Sequence, residues 1–156
     1  MTISPYLRSL REQVGHELLL VPSAAALVWD DAGRLLLVRA TDSGLWQTIG
    51  GAVDPGESPQ DAAIREAREE AAVDVELLGI RGALGGREFE MTYPNGDRVA
   101  YVSTVFDARI AGGEPRPDGE ETSEVGWFEP ARLDGVELTA FTVVLLERVG
   151  VGGPAS

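Results

Sequence analysis

The chain has no cysteine among its 156 residues. That excludes a disulfide framework, a thiolate metal site and a cysteine nucleophile, and it fits a reducing cytosol. Histidine is almost as scarce. His16 is the single example, so neither an imidazole metal site nor a Ser/His/Asp triad is expected. It follows Gly15, just past a predicted helix end, and reads as a surface or structural position. No apolar run approaches the roughly 20 residues that cross a bilayer. The opening MTISPYLRSLREQ has no apolar h-region. A soluble, cytoplasmic protein without a membrane partner is expected. Positive charge is in deficit, with 13 basic against 26 acidic residues, a net charge of −13 and a pI near 4.4. Such a surface repels polyphosphate backbones, which excludes a nucleic-acid polymer as the expected partner. A small anionic substrate would have to be met by placed arginines or by divalent metal.

What is present reads as one α+β domain, since this length builds one core and leaves little for a second. Residues 4–14 form a predicted amphipathic helix, with Ser4 as cap, Pro5 in the first turn and Gly15 as stop. That N-terminal segment, residues 1–17, is expected to dock on the body or on a second subunit. ELLLVPSAAALVWDD and GRLLLVRA are apolar strands around a turn at residues 30–33. Three strand-like stretches follow a central helix, the last two joined at Asn95-Gly96, the strongest tight-hairpin signal in the chain. GGEPRPDGEETSE is a predicted polar loop, VGWFEP a short strand and ELTAFTVVLLERVG a closing helix. The main domain is expected over 18–150, with 151–156 as a flexible tail.

The central helix opens on Ser58-Pro59-Gln60-Asp61, a cap with an acid three residues on. At about 100° per residue, Glu66, Glu69 and Glu70 fall on one face, because i, i+3 and i+4 are neighbours. Ile64, Ala67 and Ala71 lie on another face with Ala63 at its edge, a small-residue stripe that must lie close against a sheet. Arg65 stands four residues before Glu69, within pairing reach. The glutamates could be a solvated face, where like charges cost only a few tenths of a kcal/mol. If instead they line a cleft, carboxylates about 6 Å apart repel by roughly 2–3 kcal/mol at an effective dielectric near 20. Such a cleft calls for a hard divalent cation, Mg²⁺ or Mn²⁺ before Zn²⁺. Just upstream, GGAVDPGE supplies Gly50, Gly51 and Glu57, where small residues admit backbone carbonyls to the same place.

Gly51, five residues, Glu57, seven residues and then REAREEAAV closely resemble the Nudix box, Gly-x5-Glu-x7-Arg-Glu-(apolar)-x-Glu-Glu-x-Gly-(apolar). Ala72 stands where that pattern has Gly, and Ile49 where relatives commonly carry Pro. The resemblance implies a Nudix fold, with mixed β-sheets sandwiched between helices. It implies an enzyme that hydrolyses a pyrophosphate bond in a nucleoside diphosphate derivative, ADP-ribose-like or a nucleoside triphosphate, by water attack on phosphorus. Mg²⁺ or Mn²⁺ would be the cofactor, held by Glu66, Glu69 and Glu70 with the Gly51 carbonyl. Glu57 would support the loop or hold an outer-shell water, and Arg65 would orient the ligand carboxylates. The general base would be a box glutamate or an acid of the 120–124 loop, with Glu121 first, Glu120 second and Glu124 as a strand residue. Trp46, Phe89, Tyr93 and Tyr101 are stacking or core candidates; Arg39, Arg87 and Arg98 are phosphate-binding or surface candidates. A homodimer is a further expectation of the resemblance. A Nudix-fold binding module without turnover and a structural protein with a solvated acidic helix are the alternatives. At Ala72 ordinary dihedrals are expected, with the helix running on slightly or ending differently.

Overall fold

The computed structural model describes residues 3–152. Helix α1 (Pro5–Val14) is capped by the Ser4 hydroxyl, which accepts from the Leu7 N–H at 3.2 Å, and it stops at Gly15 with φ 64°. Strands β1 (Leu19–Trp29) and β2 (Leu35–Ala40) flank a turn in which the Asp30 carboxylate accepts from the Ala32 and Arg34 N–H groups. Two short strands, β3 (Trp46–Gln47) and β4 (Ile49–Ala52), lead into helix α2 (Pro59–Ala71). Then come β5 (Asp74–Leu84), β6 (Glu90–Thr92), β7 (Arg98–Gly112), β8 (Thr122–Phe128) and helix α3 (Ala140–Arg148).

The strands form one mixed sheet in the order β3-β2-β1-β7-β5, with β4 on β1, β6 on β7 and β8 on β2. Among the described residues the central β1–β7 pair is the one parallel strand pair, beside an isolated parallel bridge between Trp46 and Leu138. Helices flank both faces, as the α+β expectation required. Along β1, Ala24, Ala26 and Val28 point to the layer of α2, while Val21, Ala25 and Leu27 point to the layer of α3. Strand β2 divides its leucines and valine in the same way. A strand buried on both faces loses polar alternation, which is why these two segments read as continuous apolar runs. The buried face of α2 is made of Ala62, Ala63, Ala67 and Ala71, and Ile64 is only partly buried. Methyl-sized contacts bring this helix close to β1 and β4.

Several expectations are corrected at element ends. Strand β8 starts at Thr122, inside the stretch read as loop, because Thr122 pairs with Ala40 and Glu124 with Arg39. Residues 87–89 form a 3₁₀ turn that buries Phe89, and only 90–92 extend as strand. The hairpin at Asn95-Gly96 is present, but its loop is longer than a two-residue turn: the Tyr93 N–H donates to the Asp97 carbonyl at 2.8 Å. Val151, assigned to a flexible tail, is 7% exposed and packs in the α3-side core, its apolar side chain sheltered there. Residues 153–156 of that tail lie outside the described residues. No helix among the described residues is long and apolar enough to cross a membrane.

Candidate active site

Helix α2 is fixed at its start by a reciprocal cap. The Ser58 hydroxyl accepts from the Asp61 N–H at 3.0 Å, and the Asp61 carboxylate accepts from the Ser58 N–H at 3.3 Å. With its alanine face against the sheet, the helix turns its glutamates toward β4 and the 53–57 loop. The solvated-face alternative holds for Glu69, which is exposed, and fails for Glu70 and Glu66. Glu70 is 3% exposed, and its Oε1 accepts the Gly50 N–H at 2.9 Å, tying helix to strand. Glu66 lies against Gly51 so closely that a Cβ there would overlap its carboxylate. Glycine at 51 lets the Glu66 carboxylate rest on the strand backbone, and a side chain there would push that carboxylate aside.

Arg65 is the hub of the acidic group. It grips Glu57 with two bonds, Nε to Oε2 at 2.7 Å and Nη2 to Oε1 at 2.9 Å. Nη1 reaches Glu66 at 3.0 Å and Glu69 at 3.2 Å, and Nη2 also donates to the Ala52 carbonyl at 3.1 Å. The expected Arg65–Glu69 pair is therefore present, but the bidentate bond to Glu57 is shorter. A planar fork suits that geometry. Glu57 also accepts the Asp54 N–H at 3.0 Å, so it holds the loop as well as the arginine. Its carboxyl is kept below the usual range, chiefly by the Arg65 hydrogen bonds, and the Arg65 guanidinium is held charged in return.

The inner pair behaves oppositely. Burial pushes the Glu66 carboxyl up to about 7, with Arg65 opposing the rise and Glu69 adding to it. Burial, and then the neighbouring Glu66 charge, push Glu70 well above the usual range; the Gly50 N–H opposes and the Glu121 charge adds. Two carboxylates in one dry place cannot both be charged cheaply. The arrangement therefore lacks positive charge on the side away from Arg65. A hard divalent cation bound by oxygens fits that need. Among the described residues no three acidic or imidazole side chains converge on one point; Glu57, Glu66 and Glu69 all lean on Arg65.

The remaining candidates separate into near and far. The Thr122 hydroxyl donates to the Glu70 carbonyl at 2.9 Å, which sets the neighbouring Glu121 beside the end of α2. Glu124 pairs with Arg39 at 3.0 Å as a strand residue, and Glu120 is exposed. Trp46 meets Phe128 edge to face at 4.8 Å and lines a cleft of about 410 Å³ with Arg39, Gly44 and Glu137. Phe89 and Tyr101 are core residues against Phe141, and the Tyr101 hydroxyl is 2.5 Å from that of Tyr93. Arg87 lies exposed in the 3₁₀ turn. Arg98 is far from the carboxylates. Gly51 pairs with Ala24 and Ala24 with Thr104, so Arg98 is six strand residues away, roughly 20 Å at about 3.3 Å each. His16 is a surface residue whose Nδ1 lies 2.7 Å from Asp97.

Ala72 corrects the expectation of ordinary dihedrals. It is left-handed, with φ 58° and ψ 31°, and its N–H returns to Arg68 O at 3.1 Å. The reversal there drops Val73, 1% exposed, into the core and starts β5 at Asp74. The Gly50 N–H, the Ala52 carbonyl and Thr122 are contributors that sequence reasoning passed over. Backbone groups carry no residue-type signal, and Thr122 shows none before the strand register is known.

Comparison with known proteins agrees with this geometry. The sequence model of the NUDIX domain matches residues 19–145. A MutT-like protein from Streptomyces ambofaciens is 30% identical over 132 residues, covering 85% of this chain and 79% of its own. The nucleoside triphosphatase NudI of Escherichia fergusonii is 30% identical over 132 residues, covering 80% of this chain and 93% of its own. The structure of an ADP-ribose pyrophosphatase from Streptococcus suis superposes with a TM-score of 0.62 at 25% identity, covering 87% of this chain and 96% of that one. With Glu70 buried and Glu66 packed on Gly51 along the helix that the family pattern matches, the chain belongs to the Nudix family of pyrophosphohydrolases, enzymes that act on nucleotide derivatives.

Proposed function

We propose that this protein hydrolyses the pyrophosphate bond of a nucleoside diphosphate derivative, ADP-ribose-like or a nucleoside triphosphate, with Mg²⁺ or Mn²⁺ as cofactor. The observation that carries this reading is the Glu66–Glu70 pair, Glu70 buried on the Gly50 N–H and Glu66 packed on Gly51. A solvated face would have no reason to bury Glu70 or to rest Glu66 against Gly51. Glu66, Glu70 and the Gly51 carbonyl would hold the cation, with Glu69 joining them by leaving Arg65. When bound, that cation supplies charge neutralisation of the diphosphate oxygens and a more acidic water. Glu57 and Arg65 act one step back: Arg65 orients Glu66 and Glu69, and Glu57 locks Arg65.

Water oxygen forms a new bond to one phosphorus while the bridging P–O bond breaks. The water proton passes to a carboxylate, a role we give to Glu121 because its charge bears on Glu70, and the leaving phosphate departs with the bridging electron pair. The Trp46–Arg39 cleft is the assigned seat for the nucleoside, an aromatic edge with a cation at its rim. The names of the relatives support both substrate types, the triphosphate through NudI and ADP-ribose through the pyrophosphatase.

The test is a panel of nucleoside triphosphates and nucleoside diphosphate sugars assayed with Mg²⁺, with Mn²⁺ and with EDTA. Release of monophosphate or pyrophosphate with either metal, abolished by EDTA and restored by excess metal, is expected. Full turnover in chelator would sink the metal-cradle reading.

A further inference from the structure

The backbone around Glu121 is held by a device that packing does not explain. Asp118 is exposed, yet its Oδ1 accepts three successive backbone N–H groups, those of Glu120, Glu121 and Thr122, each at 2.9 Å. The Thr122 hydroxyl accepts the Asp118 N–H at 3.1 Å, closing the turn on itself. That same hydroxyl donates to the Glu70 carbonyl at 2.9 Å, from a residue only 1% exposed. Two more backbone bonds anchor the segment: Arg116 N–H to Ala71 O at 3.0 Å, and Thr41 N–H to Glu121 O at 2.9 Å. The turn is thus fastened to the last residues of α2 and to the end of β2.

A loop needs far less than this to stay folded. One side-chain bond to the backbone two residues on is the usual content of an Asx turn. Here a charged acceptor gathers three donors, and charge-assisted bonds are roughly twice as strong as neutral ones. What the turn presents is Glu121, whose charge bears on the buried Glu70 carboxylate. Left to itself, a third carboxylate would swing away from that charge. A device that prevents this serves the site and works against local electrostatics.

We propose that Asp118 and Thr122 are positioning residues that clamp the 118–122 turn to the end of α2, keeping the Glu121 carboxylate near Glu70. The inference rests on the hydrolase reading above. All three backbone bonds fall on one oxygen, so the acceptor matters more than the charge. Asparagine keeps that oxygen and alanine removes it.

The experiment uses the full chain with Mg²⁺ and either dGTP or ADP-ribose, whichever the wild type turns over faster. Asp118→Ala and Thr122→Val should each lower kcat at least about tenfold with KM nearly unchanged, the scale of a small misplacement of a catalytic group. Asp118→Asn and Thr122→Ser should restore most of the rate. Adding Asp118→Ala to Glu121→Gln should cost little more, because both act through one carboxylate. Amide hydrogen exchange at residues 120–122 should quicken in Asp118→Ala and stay slow in Asp118→Asn, with melting temperatures that show each variant folded. If Glu121→Gln lowers kcat but Asp118→Ala does not, the clamp is wrong and the hydrolase reading stands. Equal losses in Asp118→Ala and Asp118→Asn, or fully additive losses with Glu121→Gln, would also overturn it. A wild type inactive on both nucleotides would overturn the two readings together, whereas exchange at 120–122 unchanged in Asp118→Ala would overturn the clamp alone.

Discussion

A left-handed alanine closes the helix that carries the site. The left-handed region costs an L-residue with a Cβ roughly 1–2 kcal/mol, and glycine visits it freely. Ala72 holds φ 58° because Val73 must turn into the core and because the backbone crosses Gly113, where a Cβ would press on the Ala72 carbonyl at 2.8 Å. Ala72→Gly should therefore stabilise the protein by about 0.5–1 kcal/mol, the strain relieved less the extra freedom of an unfolded glycine. Chemical denaturation measures this, and an unchanged or lower stability would show that Ala72 is unstrained. Activity should change less than about tenfold, because the residue only ends the helix and touches neither the carboxylates nor the Glu121 turn. A large gain in activity would mean that the natural alanine damages the site.

At the scale of the element, α2 works because it lies close. Its buried contacts are Ala62, Ala63, Ala67 and Ala71, all 0% exposed, so the distance from helix to sheet is set by methyl groups. Ala67→Leu forces three extra carbons into a packed interface, which typically costs 1–3 kcal/mol. It should also lift Glu70 from the Gly50 N–H and Glu66 from Gly51. The expected result is a lower melting temperature with a loss of activity larger than the stability loss explains. Retained activity in a folded Ala67→Leu would argue that the helix need not sit close.

Much of this element was legible in the sequence. Ser58, Pro59 and Asp61 announced its start, the i, i+4 spacing set Glu66 beside Glu70 while Glu69 stays exposed on Arg65, and the alanines gave the packing face. Two features were not legible. Burial of Glu70 depends on where β4 places the Gly50 N–H, and the hub role of Arg65 depends on the 53–57 loop folding back to deliver Glu57. Both are contacts across the chain, which a helical pattern does not contain. The start of strand β8 is hidden for a related reason: its first residues, Thr122 to Glu124, are polar, and only pairing with Arg39 and Ala40 makes them strand. Among the aromatic candidates the structure separates Trp46 at a cleft from Phe89 and Tyr101 in the core, a distinction composition cannot make.

For the whole molecule the leading fact is a net charge of −13 in which every one of the 13 basic residues is arginine. Arginine forks bind carboxylates with two bonds, and Arg65–Glu57, Arg109–Glu76 and Arg148–Glu88 pair within the chain in this way. Positive charge is thus spent on internal carboxylates, while the inner face of Glu66 and Glu70 receives none from Arg65 beyond its single bond to Glu66. A diphosphate approaching this surface meets repulsion unless a cation comes between, and the central claim is that α2 holds that cation. The direct measurement is Mn²⁺ binding to substrate-free protein, followed by the loss of the free Mn²⁺ signal in electron paramagnetic resonance, for the wild type and for Glu70→Gln. The variant keeps the acceptor for the Gly50 N–H and removes one charge. It should stay folded, with a melting temperature at or above that of the wild type. The account predicts saturable binding of at least one Mn²⁺ by the wild type, weakened at least about tenfold in Glu70→Gln. Equal binding by the two proteins, or none by the wild type, would contradict it.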